Sequence, residues 1–542
     1  MNLKPSVAEL QKEHIVMELE SIDRMYLNAY VPQLTTEAGV AGFVRGYLGN
    51  RFASTKQVAE MTESFVESIM QFALDHKIDL VRFQKGQRKD DVMQGRLRIF
   101  RKKKHQEGVV FIGVAQEKAR VPRTVRKAFG NGGTIPWINY SSANVNFYYF
   151  YCLDEEFGPF FIKFCSYFPY TAKLCINGHE YLKCQLERRG IGYEALDNGI
   201  SWCEDVATAQ RICDHFDERK IEAFFRKWLR RLPHPFSAKD RQAGYRYDLS
   251  ILQAEFSLTQ IWNRALSGRY FFEEVIRDNI DLGRPEQVQL IFSRKLKRST
   301  VADGRCRTRI ITEGVIPSLH IYYKNTHSKQ YLKAAKRRTG LRTETTINNA
   351  YDFGIGRRLR NLPALRQIGF EANRRILEVE KLTHDCCIGQ QSFQQLQQPA
   401  NVEGQQASAL RFGDPRVQAL FAVLVLFSLQ PQGFRNKELR PLLAQALGLD
   451  CQEITQGKMS YDLRRLRLHG LIERIAHTHR YQLTTIGLRT VLFYSRTLNR
   501  VIRPGLSQIA HPNFPRDRSK LTAAFRHLET ELTNYLTQKK AA

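Results

Sequence analysis

Basic side chains are the residues of this 542-residue chain whose number and grouping point most directly to a chemistry. Lysine and arginine number 83 against 54 aspartates and glutamates, so the formal net charge is +29. They recur in runs at 96–104, 294–309, 329–342 and 357–375. Guanidinium and ammonium groups bind phosphate oxygens through charge-assisted hydrogen bonds. The excess therefore predicts a polyanionic partner, with nucleic acid as the first candidate.

Carboxylates in the central part of the chain suggest a second chemistry. Asp154, Glu156 and Glu344 would hold a divalent metal ion for phosphodiester cleavage if the fold brought them within about 4 Å of one another. If they lie apart, binding without cleavage is the better explanation of the charge. The ten cysteines contain no Cys-x-x-Cys pair, which argues against a zinc ribbon and against a secreted disulfide framework.

The segment 411–503 has the clearest pattern of structural elements. A first apolar helix begins at Asp414-Pro415, a second begins with Asn436 as its N-cap and ends at Gly448, and a third covers 458–469. Short runs at 471–475 and 480–483 predict a β-hairpin, and a closing helix follows from Thr485.

The segment from Leu466 to Ile472, together with residues 479–484, resembles the recognition helix and wing of bacterial winged-helix domains. The resemblance implies that the third helix enters a major groove while the hairpin reaches phosphates or the neighbouring groove. Fifteen Lys and Arg against six Asp and Glu in 411–503 favour this role over the alternative, a winged helix used for protein contact. The expected nucleic-acid-binding residues here are Lys458, Ser460, Tyr461, Arg464, Arg465, Arg467, His477, His479 and Arg480.

Two strands at 318–325 and 341–347 flank the basic stretch 329–338. A strand ending Tyr323-Lys324, followed by a strand with Leu341-Arg342-Thr343-Glu344, resembles a short stretch of the rolling-circle replication initiators of plasmids and filamentous phages. In that family a tyrosine attacks a DNA phosphodiester while a metal ion, held by histidines and an acidic residue, polarises the phosphate.

The resemblance implies Tyr331 as nucleophile and Glu344 as metal ligand, with Mg²⁺ or Mn²⁺ as cofactor. The chain departs from the family because it lacks a His-hydrophobic-His pair. The alternative is a structural Glu344, paired across strands with Arg342 or a lysine. Lys329, Lys333 and Arg342 are the residues of this stretch expected to bind nucleic acid.

A dense aromatic block lies at 147–151 and 160–165, and its turn composition predicts a hairpin. Residues 146–198 resemble a widespread group of uncharacterised bacterial proteins, which implies no activity. The aromatic rings either stack on single-stranded bases or fill the core of a sheet.

The remaining segments predict an α+β or mixed α/β body with a C-terminal winged helix-turn-helix domain. Residues 6–78 are expected to be helical, including a segment around 7–29, and strand, helix and strand between 78 and 114 imply a parallel unit. A loop is predicted at 120–144, mostly helix at 204–285, and strands within 288–311. The predicted divisions are 1–120, a body at 145–384, a Gln-rich linker at 385–410, a winged helix at 411–505 and a polar helical tail at 506–542.

Together these patterns indicate a DNA-processing protein of a mobile element, similar to a replication initiator or a transposase. Any enzymatic activity would be metal-dependent strand nicking or transfer. The alternatives are a non-catalytic binder of DNA or structured RNA, and a transcription regulator, which is disfavoured because basic residues spread through the body. The absence of a long apolar run and of a signal-peptide pattern predicts a cytoplasmic protein without membrane contact. The sequence leaves the oligomeric state open, with a homodimer as one candidate.

Overall fold

The computed structural model describes residues 13–50, 55–84, 86–102, 107–130, 133–196, 198–279, 307–311, 318–334, 338–384 and 386–502, with short pieces between 523 and 535. The described residues up to Arg277 and from Arg307 to Ile376 form one compact unit, the body. Those from Leu377 onward form a second unit, the C-terminal unit. In the described part of the chain, no helix has the length and apolar character needed to cross a membrane.

The body contains strands and helices in a mixed order. They are β1 (Ile15–Tyr30), α1 (Glu37–Gly42), α2 (Thr55–Asp75), β2 (Leu80–Arg82), α3 (Lys89–Lys102), β3 (Gly108–Phe129), β4 (Gly133–Asp154), β5 (Gly158–Cys165), β6 (Ala172–Asn177), α4 (Gly178–Arg188), β7 (Tyr193–Leu196), β8 (Gly199–Cys203), α5 (Val206–Asp214), α6 (Glu218–Leu229), α7 (Ala238–Gln242), β9 (Asp248–Trp262), α8 (Ala265–Asn279), β10 (Arg307–Ile311), β11 (Ser318–Tyr323), β12 (Thr326–Ala334), β13 (Thr339–Ile347) and α9 (Leu362–His384). The last helix begins in the body and ends in the C-terminal unit.

One large mixed sheet organises the body. Its strands lie in the order β10-β11-β12-β13-β9-β1-β6-β5-β4-β3-β2. Neighbouring strands are antiparallel except β2 and β3, which are parallel and are connected through α3. This β2-α3-β3 connection confirms the parallel strand-helix-strand unit predicted between residues 78 and 114.

The first strand occupies the middle of the sheet, so the helix predicted around 7–29 is wrong for the described residues from Ile15 onward. Met17 and Leu19 are buried while Val16 and Glu18 are exposed, which is the two-residue period of a strand. Where β6 does not reach, Gln210 of α5 hydrogen-bonds both backbone groups of Glu20 at 3.0 and 3.1 Å. The side chain thereby substitutes for a neighbouring strand.

A loop is predicted at 120–144, but the described residues 120–130 and 133–144 form the outer part of a paired β3–β4 hairpin. β3 and β4 stay paired from Gly108 opposite Leu153 to Phe129 opposite Gly133. The aromatic run 147–151 is at most 4 % exposed, so its rings fill the core and are not available to stack on bases.

Two further corrections concern the second half of the body. The region 204–285, predicted as mostly helical, contains the long strand β9, which pairs with β1 and β13. The basic stretch 329–338 is largely strand β12, which lies between β11 and β13. The predicted strand at 289–292 lies outside the described residues.

The C-terminal unit contains α10 (Gln390–Leu396), β14 (Ala400–Val402), β15 (Gln405–Ala407), α11 (Pro415–Val425), α12 (Asn436–Leu447), α13 (Gln456–Leu468), β16 (Ile472–Arg474), β17 (Tyr481–Leu483) and α14 (Thr485–Arg496). The Gln-rich stretch predicted as a linker is therefore folded. Leu396 and Leu410 belong to the buried core of this unit, because the apolar side chains among the glutamines pack inward.

The three helices, hairpin and closing helix predicted in 411–503 are all present. Asn436 is the first helical residue and Arg435 precedes it, so the expected N-cap is displaced by one position. Gly433 permits a close approach of two backbones. It has a φ of 59°, and a Cβ there would lie 1.9 Å from the carbonyl oxygen of Tyr481.

Candidate nucleic-acid interface

Helix α13 presents a polar, basic face to solvent. Met459, Leu463 and Leu466 are buried at helical spacing and hold the other face in the core. Thr455 caps the start of the helix by accepting a hydrogen bond from the Lys458 amide at 3.3 Å. The exposed side chains are Lys458, Ser460, Tyr461, Arg464 and Arg467.

Two arginines on this face are available for binding. The side chains of Arg464 and Arg467 are exposed and make no hydrogen bond or ion pair with the part of the chain that the structure describes. Their neighbours are positioned by side-chain contacts, because Ser460 accepts a hydrogen bond from Asn436 at 3.0 Å and Tyr461 bonds the Ser408 hydroxyl at 3.0 Å. The helix therefore combines fixed polar groups with two arginines that can reach a ligand.

Arg465 does not belong to this face, contrary to the prediction. Its side chain is 6 % exposed and donates to the carbonyl oxygens of Ser408, at 3.0 Å, and Ala409. These bonds attach the segment after β15 to α13. Arg465 is thus in no position to contact a base or a phosphate.

The hairpin after α13 is attached to the start of α12. Arg480 is partly buried and donates to the carbonyl oxygens of Gln432 and Gly433 at 2.7 and 2.8 Å, and it lies 3.8 Å from Glu438. Its donors are therefore directed into the fold. His477, which has a φ of 57°, and His479 are exposed near the tip, where they can reach a partner.

Three exposed basic residues extend this surface beyond the predicted set. Arg435 and Lys437 lie at the start of α12, and Arg474 lies on β16. A helix N-terminus carries a partial positive charge, which adds to the attraction of an anion. Arg435 and Lys437 flank the predicted N-cap Asn436 and Arg474 lies in the predicted hairpin, and these positions were the signal available in the sequence.

Tyr331 and Glu344, the two residues predicted to be catalytic, are in contact in the body. The Tyr331 hydroxyl donates a hydrogen bond to Glu344 at 2.8 Å. Burial and the neighbouring Glu344 both raise the pKa of Tyr331, which disfavours the phenolate needed for attack. Lys329 is half-buried with its ammonium 4.1 Å from the Tyr331 ring centre, and Lys333 is half-buried on the same strand.

Arg342, predicted to bind nucleic acid, is instead fully buried at the centre of a polar network. Its guanidinium donates to Asp23 and Glu344, to the Asn198 carbonyl at 2.7 Å and to Thr259 at 3.0 Å. Glu344 therefore forms the ion pair with Arg342 that is expected if Glu344 has a structural role.

Asp23 connects this network to α4. It accepts hydrogen bonds from Ser257 and Arg342 and contacts His179. Burial alone would raise the pKa of Asp23, but Arg342 and His179 outweigh burial and hold that pKa well below its usual range. The network joins β1, β9, β13 and α4 with its charges paired, which is what a buried ionic cluster needs to be tolerated.

The three carboxylates considered for metal binding do not converge. Asp154 is buried and bonded to Lys227 and Trp228, Glu156 pairs with Arg188, and Glu344 pairs with Arg342. Among the described residues, no group of three or more His, Cys, Asp or Glu side chains is placed to hold a metal ion.

Comparison with protein-family models, with curated proteins and with solved structures finds no match for this chain.

Proposed function

We propose that this protein binds DNA and that its C-terminal unit is a winged helix. The order of α11, α12, α13, the β16–β17 hairpin and α14 is that of a winged helix-turn-helix. A short backbone pairing between Phe434 and Tyr481 adds the small third strand between the first and second helices. In this proposal α13 is the recognition helix and the hairpin is the wing.

The observation that carries the proposal is the exposed face of α13. Lysine, serine, tyrosine and arginine side chains project from it, while Arg464 and Arg467 have no partner among the described residues. Arginine binds the O6 and N7 of guanine through two donors, and lysine binds phosphates. The exposed histidines of the hairpin and the basic start of α12 provide additional contacts to the DNA backbone.

The body supports binding better than cleavage. Asp154, Glu156 and Glu344 have separate partners, and the half-buried Tyr331 has a raised pKa. Neither observation favours a metal-assisted nucleophilic tyrosine. We therefore place DNA binding first and the DNA-processing role in a mobile element second.

Selection of duplexes from a random library tests the binding proposal. The intact protein should enrich one sequence, and Arg464→Ala with Arg467→Ala should lower affinity for that duplex more than for a scrambled one. Arg219→Ala is a matched control, because Arg219 is an exposed arginine of α6 without a partner in the described chain. Equal losses of affinity for the two duplexes would mean that α13 contacts only phosphates. Failure to enrich any sequence would refute the proposal. Two half-sites in the enriched sequence would indicate a homodimer.

Strand nicking is the second candidate because Tyr331 and Glu344 touch. It predicts cleavage of single-stranded DNA with Mg²⁺ or Mn²⁺ and a covalent tyrosine adduct that Tyr331→Phe prevents. Phenylalanine preserves the ring and removes only the hydroxyl. A protein that binds DNA but forms neither nicked product nor adduct would exclude this candidate.

A further inference from the structure

An arginine-lined cavity of about 570 Å³ lies in the body where β1 ends and β9 begins. Its walls come from distant parts of the chain. Asn28 and Tyr30 of β1 contribute one side, Arg120 and Tyr140 come from the β3–β4 hairpin, and the segment 356–361 before α9 contributes another. None of the lining residues belongs to the C-terminal unit or to the Arg342 network.

The charge of the lining is uniformly positive. Four arginines face the cavity, at positions 120, 357, 358 and 360, and no aspartate or glutamate is among its lining residues. The side chains of Arg358 and Arg360 are exposed and make no hydrogen bond or ion pair with residues that the structure describes. Their charge is therefore uncompensated within this part of the chain, as expected for a site that receives an anion.

Arg357 provides a second, independent observation. One terminal nitrogen donates to Asn349 at 2.9 Å, but its Nε is buried without a hydrogen-bond partner. Buried donors are nearly always satisfied, so an unsatisfied one beside a cavity indicates a missing acceptor. An oxygen-rich anion would supply that acceptor once the Arg357 side chain turned its Nε toward the cavity.

Aromatic rings stand beside two of the arginines. The Arg120 guanidinium lies 4.9 Å from the ring centre of Tyr140, and the Arg357 guanidinium lies 5.4 Å from that of Tyr351. Tyr351 is 63 % exposed, which leaves ring surface for a further planar group. Arginine-backed aromatic rings are a common surface for stacking a nucleobase.

The arginine segment is held by its backbone, so the site is organised before a ligand arrives. The Arg357 carbonyl accepts a hydrogen bond from the Ile251 amide at 2.6 Å, and Arg358 pairs with Ser250 of β9. Asn361 donates to the Gly356 carbonyl at 2.8 Å, which closes the turn. Fixing the backbone in this way reduces the entropy lost on binding.

We propose that this cavity binds a nucleotide, with its phosphate on Arg357, Arg358 and Arg360 and its base against Tyr351. The nucleotide is either free or a unit of a single-stranded nucleic acid, since both present the same phosphate and base. The site does not depend on DNA recognition by the C-terminal unit. It adds a defined ligand position to the body.

Fluorescence anisotropy of the intact protein tests the site with two probes, an N-methylanthraniloyl-labelled adenosine triphosphate and a labelled single-stranded oligothymidylate. Arg358→Ala combined with Arg360→Ala should weaken binding of at least one probe by about tenfold or more, because each arginine gives charge-assisted hydrogen bonds to phosphate. Arg219→Ala should leave that affinity within about twofold, because Arg219 is an exposed arginine outside the cavity lining. Arg358→Lys with Arg360→Lys retains the charge and should recover part of it.

The two probes distinguish the sources. Binding of the triphosphate identifies a free nucleotide, and binding of the oligomer alone identifies a strand. The inference is overturned if neither probe binds, or if the double alanine variant binds both as well as the unaltered protein. It survives even if Arg464→Ala leaves duplex binding unchanged, which would count only against the proposed winged helix.

Discussion

Adjacent arginines on α13 should respond to substitution in opposite ways. Arg464 is exposed without a partner in the described chain, whereas Arg465 is 6 % exposed and bonded to two backbone carbonyls. We expect Arg464→Ala to affect DNA affinity without affecting the fold. Arg465→Ala should do the reverse.

The magnitudes follow from these contacts. A bidentate arginine–guanine contact contributes about 1–3 kcal/mol, so Arg464→Ala should weaken binding to the preferred duplex by roughly 5- to 150-fold and change stability by less than about 0.5 kcal/mol. Arg465→Ala removes two hydrogen bonds from a charged donor and deprives the Ala409 carbonyl of its donor, while the Ser408 carbonyl keeps His469 at 3.0 Å. That loss should destabilise the C-terminal unit by about 2–4 kcal/mol and lower its melting temperature by roughly 10 °C.

Two assays on the same preparations separate the effects. Differential scanning calorimetry reports the melting of the C-terminal unit, and fluorescence anisotropy well below that melting temperature reports duplex affinity. Loss of DNA binding in Arg465→Ala without any loss of stability would refute the assignment. So would a large drop in melting temperature for Arg464→Ala.

Other predictions concern the buried Arg342 network, Gly433 and the salt dependence of DNA binding. Arg342→Met should destabilise the body by about 3–5 kcal/mol, measured by urea unfolding, because it leaves the buried Asp23 and Glu344 charges unpaired. Because the pKa of Asp23 is lowered in the folded protein, the Asp23 carboxylate stabilises the fold above its ordinary pKa of 3.8, and this stabilisation is lost as the pH falls. The free energy of unfolding that Asp23→Asn loses relative to the unaltered protein should therefore become smaller on acidification. A loss that stays constant with pH would contradict the network. Gly433→Ala should lower the melting temperature of the C-terminal unit, since its Cβ would collide with the carbonyl of Tyr481. DNA affinity should fall steeply with salt in filter-binding titrations, and salt-insensitive binding would argue against phosphate contacts.

The C-terminal elements were readable from the sequence because local signals determine them. Pro415 at the start of a helix, Gly448 and Gly470 at helix ends and the apolar spacing of α13 all act within a few residues. The exposure of Arg464 follows from the same apolar spacing. The burial of Arg465 does not, because its acceptors at 408 and 409 lie more than fifty residues earlier in the chain.

The body was less predictable because distant partners determine its structure. The segment containing Met17 and Leu19 has helix-favouring residues, yet it becomes a strand through pairing with β6 and β9. Arg342 looked like a phosphate ligand within a basic run, but its partner Asp23 is 319 residues away in sequence. The arginine cavity likewise combines residues 28, 120 and 357, and no local pattern identifies such a convergence.

The central position of β1 also determines when this protein can fold on the ribosome. Arg24 of β1 pairs with Asn177 of β6 on one side and with Glu255 of β9 on the other. At about 5–20 residues per second, the ribosome needs roughly 8–31 s to deliver the first partner and roughly 12–46 s to deliver the second. Both edges of β1 are open until β6 emerges, and one stays open until β9 does. An open edge with exposed apolar residues promotes aggregation. The nascent chain is therefore expected to need a chaperone that holds β1 until β9 has emerged.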